Sequence, residues 1–334
     1  MLQDDAAWTF LYLNKMDKKI KKFIAGSILG LAICFSSGKT KGLDAANLNA
    51  NFSYAPVMVE ERTIIDHDPS APKSLTNYDK FKTNRITADI GLNANLNSLF
   101  GLRIENTCIL KKGDLNREFG WTSGSASGDY YRLKNFSRFL TEVKINNLSF
   151  PFGFFVEHVF EEENIDEVMN DYGFTNIAKR KSTKYSHGPC FGMIYDLNKK
   201  IKLESIYFLR SAGKKKFKAD CSLFPDSSKD FTISGYRLEN QLELVAKAKM
   251  FGFDKVGFEF EVNYDAQKIK AKNVGYDNFD YKRIELGAYL NLESKSGLNG
   301  KLGILKEKVS SEGTYELKTT KSPLMLVFGI GYDF

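Results

Sequence analysis

The sequence predicts an all-β chain folded as a transmembrane, antiparallel, up-and-down β-barrel of about twelve strands. Three observations predict it. Polar and apolar residues alternate with a period of two over segments of 10 to 14 residues, the connections between those segments run alternately short and long, and the final strand, Leu324 to Phe334, ends on an aromatic residue. Period-two alternation is the mark of a strand with two chemically different faces. Strands of soluble domains average about 5 or 6 residues, whereas a tilted strand crossing a bilayer needs about 9 to 11.

Taken in order, Met1 to Lys15 reads as an over-called start, because a complete export signal begins at Met16. Lys18, Lys19, Lys21 and Lys22 form its basic region, Phe23 to Phe35 its apolar stretch, and Ser36, Ser37 and Gly38 its small-residue end. The stretch is too short for a spanning helix of about 20 residues and matches a cleaved signal. Cys34 follows Ile33, a bulky residue where lipidation favours Gly or Ala, so cleavage near 36–38 is expected instead. Residues 39–46 make a short lead-in and 47–334 the barrel. No later segment offers 18 consecutive apolar residues, so no membrane helix is expected.

Strands are expected at 47–58, 85–96, 99–110, 137–146, 148–160, 190–198, 200–210, 234–250, 255–268, 281–295, 301–308 and 324–334. The clearest, Val256 to Gln267, sets Val256, Phe258, Phe260, Val262, Tyr264 and Ala266 against Gly257, Glu259, Glu261, Asn263, Asp265 and Gln267. The register near Asn146 and Asn147 is left open by Pro151 in the next strand. Tight turns at Asn97-Ser98, Asn146-Asn147, Asn198-Lys199, Gly252 to Asp254 and Gly297 to Gly300 alternate with polar loops at 59–84, 111–136, 161–189, 211–233, 269–280 and 309–323. That rhythm belongs to membrane barrels and not to a sandwich. Phe100, Phe150, Phe152, Phe251, Phe253, Tyr332 and Phe334 cluster near the short turns, as an aromatic girdle would.

In the last strand Leu326, Phe328, Ile330, Tyr332 and Phe334 share one face and Met325, Val327, Gly329, Gly331 and Asp333 the other. This segment resembles the carboxy-terminal strand of bacterial outer-membrane β-barrel proteins, in which a terminal aromatic preceded by alternating apolar residues is the assembly signal. The resemblance implies that Phe328, Ile330, Tyr332 and Phe334 are read by the barrel-assembly machinery. It also implies an outer-membrane location with both termini periplasmic, and contact with outer-membrane lipid and lipopolysaccharide.

The other face of each strand supplies an expected lumen of both signs: Arg103, Glu105, Lys202, Arg237, Glu239, Glu243, Glu259, Glu261, Arg283 and Glu285, joined by Asp89, Glu142, Lys144, Asp196, Glu204, Arg210, Lys247, Lys249, Asp265 and Glu293. Rings of charge select solutes in pores, and Gly91, Gly101, Gly257, Gly287, Gly329 and Gly331 on that face would leave room. The resemblance makes a porin-like channel for passive diffusion of small hydrophilic solutes the first expectation, the solute being unspecified. The alternatives are a structural or adhesive barrel with a filled lumen, and an outer-membrane hydrolase. Twelve strands lie between filled eight-stranded barrels and open sixteen-stranded ones.

Chemistry-bearing motifs are sparse. His67 lies in Asp66-His67-Asp68 near Ser70, His158 falls on the lipid-facing register and His187 reads as loop; no nucleophile elbow, zinc protease, phosphate-loop or dinucleotide fingerprint occurs. No enzyme, cofactor or metal site is expected. Cys108, Cys190 and Cys221 remain beyond the signal, with Cys190 to Cys221 the favoured pair if one disulfide forms. The formal charge of +7 falls to about +5 without the signal, and acids and bases interleave, which argues against nucleic acid as a partner. Lys179, Arg180, Lys181 and Lys184, and Lys214, Lys215, Lys216 and Lys218, form basic clusters able to hold anionic lipopolysaccharide.

Overall fold

The computed structural model describes residues 45–66, 75–120, 123–169, 171, 174–198, 200–221, 224–246, 253–271, 278–313, 315–322 and 324–333. The export signal, His67 and Ser70, Phe251, Lys247, Lys249 and the terminal Phe334 lie outside them. Among the described residues no helix is long and apolar enough to cross a membrane.

Among the described residues fourteen strands make one antiparallel sheet: β1 (Ala45–Asp66), β2 (Leu75–Asn95), β3 (Phe100–Phe119), β4 (Gly124–Ile145), β5 (Leu148–Met169), β6 (Phe174–Asn198), β7 (Ile201–Arg210), β8 (Ala212–Cys221), β9 (Phe224–Ala246), β10 (Lys255–Ala271), β11 (Asn278–Glu293), β12 (Leu298–Gly313), β13 (Tyr315–Lys321) and β14 (Leu324–Asp333). β7 and β8 are successive halves of one staircase between β6 and β9, interrupted at Ser211, and β13 and β14 are halves of another between β12 and β1, interrupted at Ser322. The wall is therefore a ring of twelve places. It closes where Asn49 to Tyr54 on β1 pair with Asp333 to Phe328 on β14. Every neighbour is also a sequence neighbour except at this seam, which is the up-and-down topology expected from the sequence.

The register around Pro151 is continuous. Pro151 sits opposite Glu142, and on the other side Ser149↔Ile194 and Phe152↔Phe191 keep one register across it, so the proline costs a ladder bond without shifting the strand. β1 does shift, between Ala55 and Met58 beside Pro56, where a bulge moves the strand by a residue. The short turns lie at one end, called here the near rim. Asn97 Oδ1 accepts from the backbone N–H of Leu99 and Phe100, both at 2.8 Å, and Asn146 takes the left-handed conformation (φ 55°) that a two-residue hairpin requires. The β11–β12 turn is Ser294 to Gly297 (φ 88° at Gly297), so Gly300, expected in the turn, stands inside β12.

The segments expected as long loops are mostly strand. β3 and β4, for example, stay paired from Gly101↔Glu142 out to Glu118↔Ser125, through all of 111–118 and 125–136. The reason is an inversion of amphipathic sense along each strand. On β5 the outward residues near the rim are Phe150, Phe152 and Phe154, each exposed, and further up they are Asn164 and Asp166; inward, Pro151 and Glu157 give way to Ile165, which is 1% exposed. β10 changes outward from Phe258, Phe260 and Val262 to Lys268 and Lys270, and β12 from Leu302 and Ile304 to Lys306 and Lys308. The near half is apolar outside, as lipid demands; the far half is apolar inside, as in a barrel standing in water. A pattern that reverses mid-strand reads as a loss of pattern, which is why those segments looked like loops.

The lipid-facing band is a girdle of exposed side chains including Phe52, Phe139, Phe191, Leu203, Leu286, Leu326, Phe328 and Ile330. About 10 strand residues at ~3.3 Å each, tilted by ~40°, make it roughly 25 Å tall, the height of a membrane barrel's apolar belt. Phe100, Phe150, Phe152 and Tyr332 are exposed at its near edge. Higher up, Tyr207, Tyr236 and Tyr264 pack in a row, ring centroids 5.6 and 5.8 Å apart.

The inversion is testable in pairs. Phe260→Arg, in the band, should cost about 2–4 kcal/mol, whereas Lys270→Glu, above it, should cost under about 0.5 kcal/mol; urea unfolding of the reconstituted barrel measures both.

Candidate functional site

The candidate site is the barrel interior, where alternation places the inward residues of all twelve wall positions. In the near half they enclose a cavity of about 500 Å³ that reaches the rim residues Glu293, Asn299 and Asp333. Its wall holds Lys301, whose ammonium lies 3.1 Å from both oxygens of Glu259 and 3.9 Å from the Tyr289 ring centroid, while Asn291 Nδ2 donates to Glu259 at 2.6 Å. Three of the six glycines expected to leave room do not. A Cβ on Gly287 would stand 2.5 Å from the Tyr289 ring, one on Gly91 2.5 Å from Asn49 Oδ1, and one on Gly331 would overlap Asn51, so neighbouring side chains have already taken that space.

Ion pairs cross the lumen, and all but the Lys111–Glu307 pair line this cavity. Arg85 on β2 meets Glu285 on β11 at 3.0 Å, Arg103 on β3 meets Glu204 on β7 at 2.9 Å, Lys111 on β3 meets Glu307 on β12 at 2.8 Å, and Arg138 on β4 meets Glu239 on β9 at 2.7 Å. Each of these four chords joins strands four places apart in the ring of twelve. Shorter links complete the mesh: Arg103 with Glu105 at 2.6 Å, Arg138 with the same Glu105, Arg237 with Glu239 at 2.5 Å, and Arg283 with both Glu285 and Glu307. Arg237 also stacks over Phe136, 4.8 Å from the ring centroid.

A second knot forms at Arg210, 1% exposed. Its guanidinium makes two bonds to Asp265, at 2.5 and 3.0 Å, and one to Glu157 at 3.2 Å; Glu157 in turn holds Lys134 at 3.1 Å and Lys184 at 2.8 Å and accepts from Ser186 Oγ at 3.0 Å. Apolar packing fills what the charges leave. Phe136, Leu140, Phe155, Cys190, Ile206 and Phe208 cluster against β4 to β7, with Phe208 edge-on to both other phenylalanines. Met58, Tyr289, Leu305, Met325 and Val327 do the same by the seam. In the far half Phe81, Leu115, Phe119, Tyr130, Ile165 and Ala178 form a core like that of a soluble protein, with Arg117 doubly bonded to Asp79 at 2.6 and 2.7 Å beside it.

Of the residues expected in the lumen, Arg103, Glu105, Arg237, Glu239, Glu259, Glu261, Arg283 and Glu285 face the interior, as do Asp89, Glu204, Arg210 and Asp265. Lys202 stands nearer the rim, 3.4 Å from Glu204, Glu243 lines the cavity, and Lys144 Nζ reaches Asn95 at 2.5 Å. Sequence reasoning missed Arg85, Lys111, Lys134, Arg138, Glu157, Lys184 and Glu307. Arg138 and Glu157 were legible: each shares its strand's inward parity with Glu142 and Gly153. Arg85 was legible too, on the parity of Asp89 at the end of an expected strand; the others lie at or beyond the point where the pattern reverses.

Among the described residues, the two histidines do not assemble a site. His158 and His187 are exposed on the outer wall, the latter in β6 and not in a loop, 5.6 Å from the Tyr185 ring. The Cys190–Cys221 pairing, left open by the sequence, is ruled out by register. Cys190 pairs with Phe208, and Cys221 with Ala178, twelve residues further along β6, which is roughly 40 Å at ~3.3 Å per residue; a disulfide needs Cα atoms within about 7 Å. Cys190 is a free, buried thiol and Cys108 is free and half-buried.

Arg210→Ala would leave Glu157 and Asp265 without their shared cation, and should destabilise the barrel by about 3–5 kcal/mol in urea titration. Electrophoretic mobility of the unfolded chain should be the same with and without reductant, because no intramolecular Cys190–Cys221 loop exists to open.

No family model matches the chain, and no curated protein matches its sequence. Among solved structures, the β domain of the Bordetella autotransporter BrkA is 14% identical, over 87% of this chain and 100% of that one, with a TM-score of 0.45. The translocator domain of the autotransporter NalP from Neisseria meningitidis is 13% identical over 94% and 98%, with a TM-score of 0.42. The outer-membrane protease OmpT from Escherichia coli is 11% identical over 89% and 99%, with a TM-score of 0.35. The chain is thus similar to bacterial outer-membrane β-barrels, and among them to no single kind.

Proposed function

We propose that this chain stands in a bacterial outer membrane as a barrel closed to passive diffusion, near rim in the periplasm, with its far half projecting outside as a rigid, non-catalytic platform for binding. The observation that carries this reading is the set of cross-lumen chords. Arg85–Glu285, Arg103–Glu204, Lys111–Glu307 and Arg138–Glu239 each bridge a third of the ring, and side chains such as Leu115 and Phe155, 0% exposed, pack the space above and beside them. A pore selecting by charged rings needs water between its walls; here the charges meet one another. The short turns and the last strand lying at one rim support a periplasmic placement of that rim.

A second reading is favoured by the 500 Å³ polar cavity: a path for small hydrophilic solutes, as a porin-like channel would have, shut by the chords at rest. Planar-bilayer recording of the reconstituted full chain separates the two. The closed barrel should give no reproducible conductance steps, either as wild type or with Arg103→Ala and Arg138→Ala combined, because the apolar tiers still fill the lumen. Steps in the wild type would establish passive diffusion and overturn the proposal; steps only in the double variant would establish the gated path.

A further inference from the structure

We propose that the seam between β1 and β14 is a lateral portal for a single-chain amphiphile, whose polar head reaches the near-half cavity while its alkyl chain lies between the two strands. The ladder that closes the ring is interrupted there. β1 pairs with β14 from Asn49↔Asp333 to Tyr54↔Phe328 and next with β13 at Glu61↔Lys321, which keeps the register of the last pair before the break. Among the described residues no backbone pairing joins 55–60 to 322–327, a window of six positions, roughly 20 Å at ~3.3 Å per residue.

Proline accounts for only part of this. Pro56 has no N–H to donate, and Pro323 follows Ser322 in the sequence. Elsewhere in the wall a proline removes two positions: Phe150 and Pro151 between Ser149↔Ile194 and Phe152↔Phe191, and Gly188 and Pro189 between His187↔Ala212 and Cys190↔Phe208. The break at the seam is three times as long. Both of its edges are also loosely held on their other sides. The β1 bulge leaves Pro56 and Val57 unpaired with β2, between Ala55↔Arg85 and Met58↔Thr83. Among the described residues, pairing to β12 stops at Lys306↔Leu324 and resumes at Ser310↔Lys318. Between those pairs hydroxyls take over: Thr319 Oγ1 donates to the Val309 carbonyl at 2.8 Å and accepts from its N–H at 3.0 Å, and Ser322 Oγ donates to the Glu307 carbonyl.

The window faces lipid on one side and the cavity on the other. Tyr54, Leu324, Leu326 and Phe328 are exposed on the outer wall beside it, Leu324 to 63%. Behind it Ala55, Met58, Leu305, Met325 and Val327 belong to one buried cluster, and Ala55, Leu305 and Val327 also line the cavity. Side chains, not backbone hydrogen bonds, therefore separate bilayer from cavity here. Two of them are methionines, unbranched and readily repacked. Arg85, the β2 partner of Ala55, and Glu285, 3.0 Å from it, stand next inside and offer both charges to a polar head.

Strand edges without a partner are tolerated at hydrocarbon depth only where they are buried in protein or line a cavity. That requirement selects the occupant. A pure hydrocarbon satisfies no backbone group, whereas an amphiphile brings hydrogen-bonding groups to the edges. A slot between two neighbouring strands admits one alkyl chain edgewise and not a pair. Entry from the side leaves the cross-lumen chords in place, so the portal goes beyond the closed barrel proposed above; it rests on the barrel's standing in a bilayer and not on which rim is periplasmic.

The full chain in phosphatidylcholine vesicles, photolabelled with lysophosphatidylcholine carrying a diazirine in its alkyl chain and mapped by peptide mass spectrometry, tests the portal. Adducts at Phe328 and Ile330, on the outer wall, are expected in every arm and test the membrane placement by itself. Adducts at Met58, Leu305 and Met325 are expected from the portal. They should be lost when Ala55→Cys and Val327→Cys are oxidised to a disulfide across the window, and return on reduction. A lock in the paired part of the seam, Ser53→Cys with Gly329→Cys, whose β-carbons would stand 3.4 Å apart, should leave them unchanged. Outer-wall adducts without inner ones overturn the portal, a result the wild type gives even if the cysteine variants do not fold. Inner adducts that persist under the Ala55–Val327 lock overturn it as well. Equal inner labelling by a diacyl phosphatidylcholine probe overturns the single-chain assignment.

Discussion

A charge inside a closed barrel wall has lost most of its water, and the only replacement is an opposite charge within reach. The interior of this protein is organised by that requirement. Glu157 is 1% exposed and Glu307 2% exposed, yet Glu157 is bound to Lys134, Lys184 and Arg210, and Glu307 to Lys111 and Arg283. Breaking one such contact costs more than the contact contributes, because the abandoned partner stays buried. The consequence for shape is direct: arginines and lysines long enough to span a third of the ring tie distant parts of the wall to one another across the lumen.

The same requirement explains the glycines. Gly91, Gly287 and Gly331 make no open channel, because Asn49, Tyr289 and Asn51 lean over them. Small residues on an inward face permit large neighbours to cross the interior as readily as they permit water. Lumen radius depends on what lies across from each position, a property of the closed ring that no single strand carries.

Legibility followed the physics of each half. Where lipid lies outside, period two with a fixed sense identified all twelve wall positions, the seam strand and most inward charges, down to the alternation of Leu326, Phe328, Ile330 and Tyr332. In the far half, Lys112, Asp114, Asn116 and Glu118 outside and Leu115 and Phe119 inside obey the same period with the sense reversed. A search tuned to one sense reads them as polar loop. The pairings were illegible for a different reason: whether Arg103 meets Glu204 or Glu142 depends on stagger and closure. Runs of lysine were misleading in the same way, since a strand divides them between its two faces.

The reversal of the apolar face has a mechanical meaning. A one-residue slip between neighbouring strands turns both faces over at once, and a two-residue slip, harmless in a uniform strand, sets the reversal of one strand above that of the next. The reversal also acts along the membrane normal. Sinking the barrel by one pair of residues would draw Lys268, Lys282 and Lys308 into hydrocarbon, and raising it would lift Phe328 and Ile330 toward water, on every strand simultaneously. Each strand thus carries its own depth mark, and closing the ring brings those marks into line.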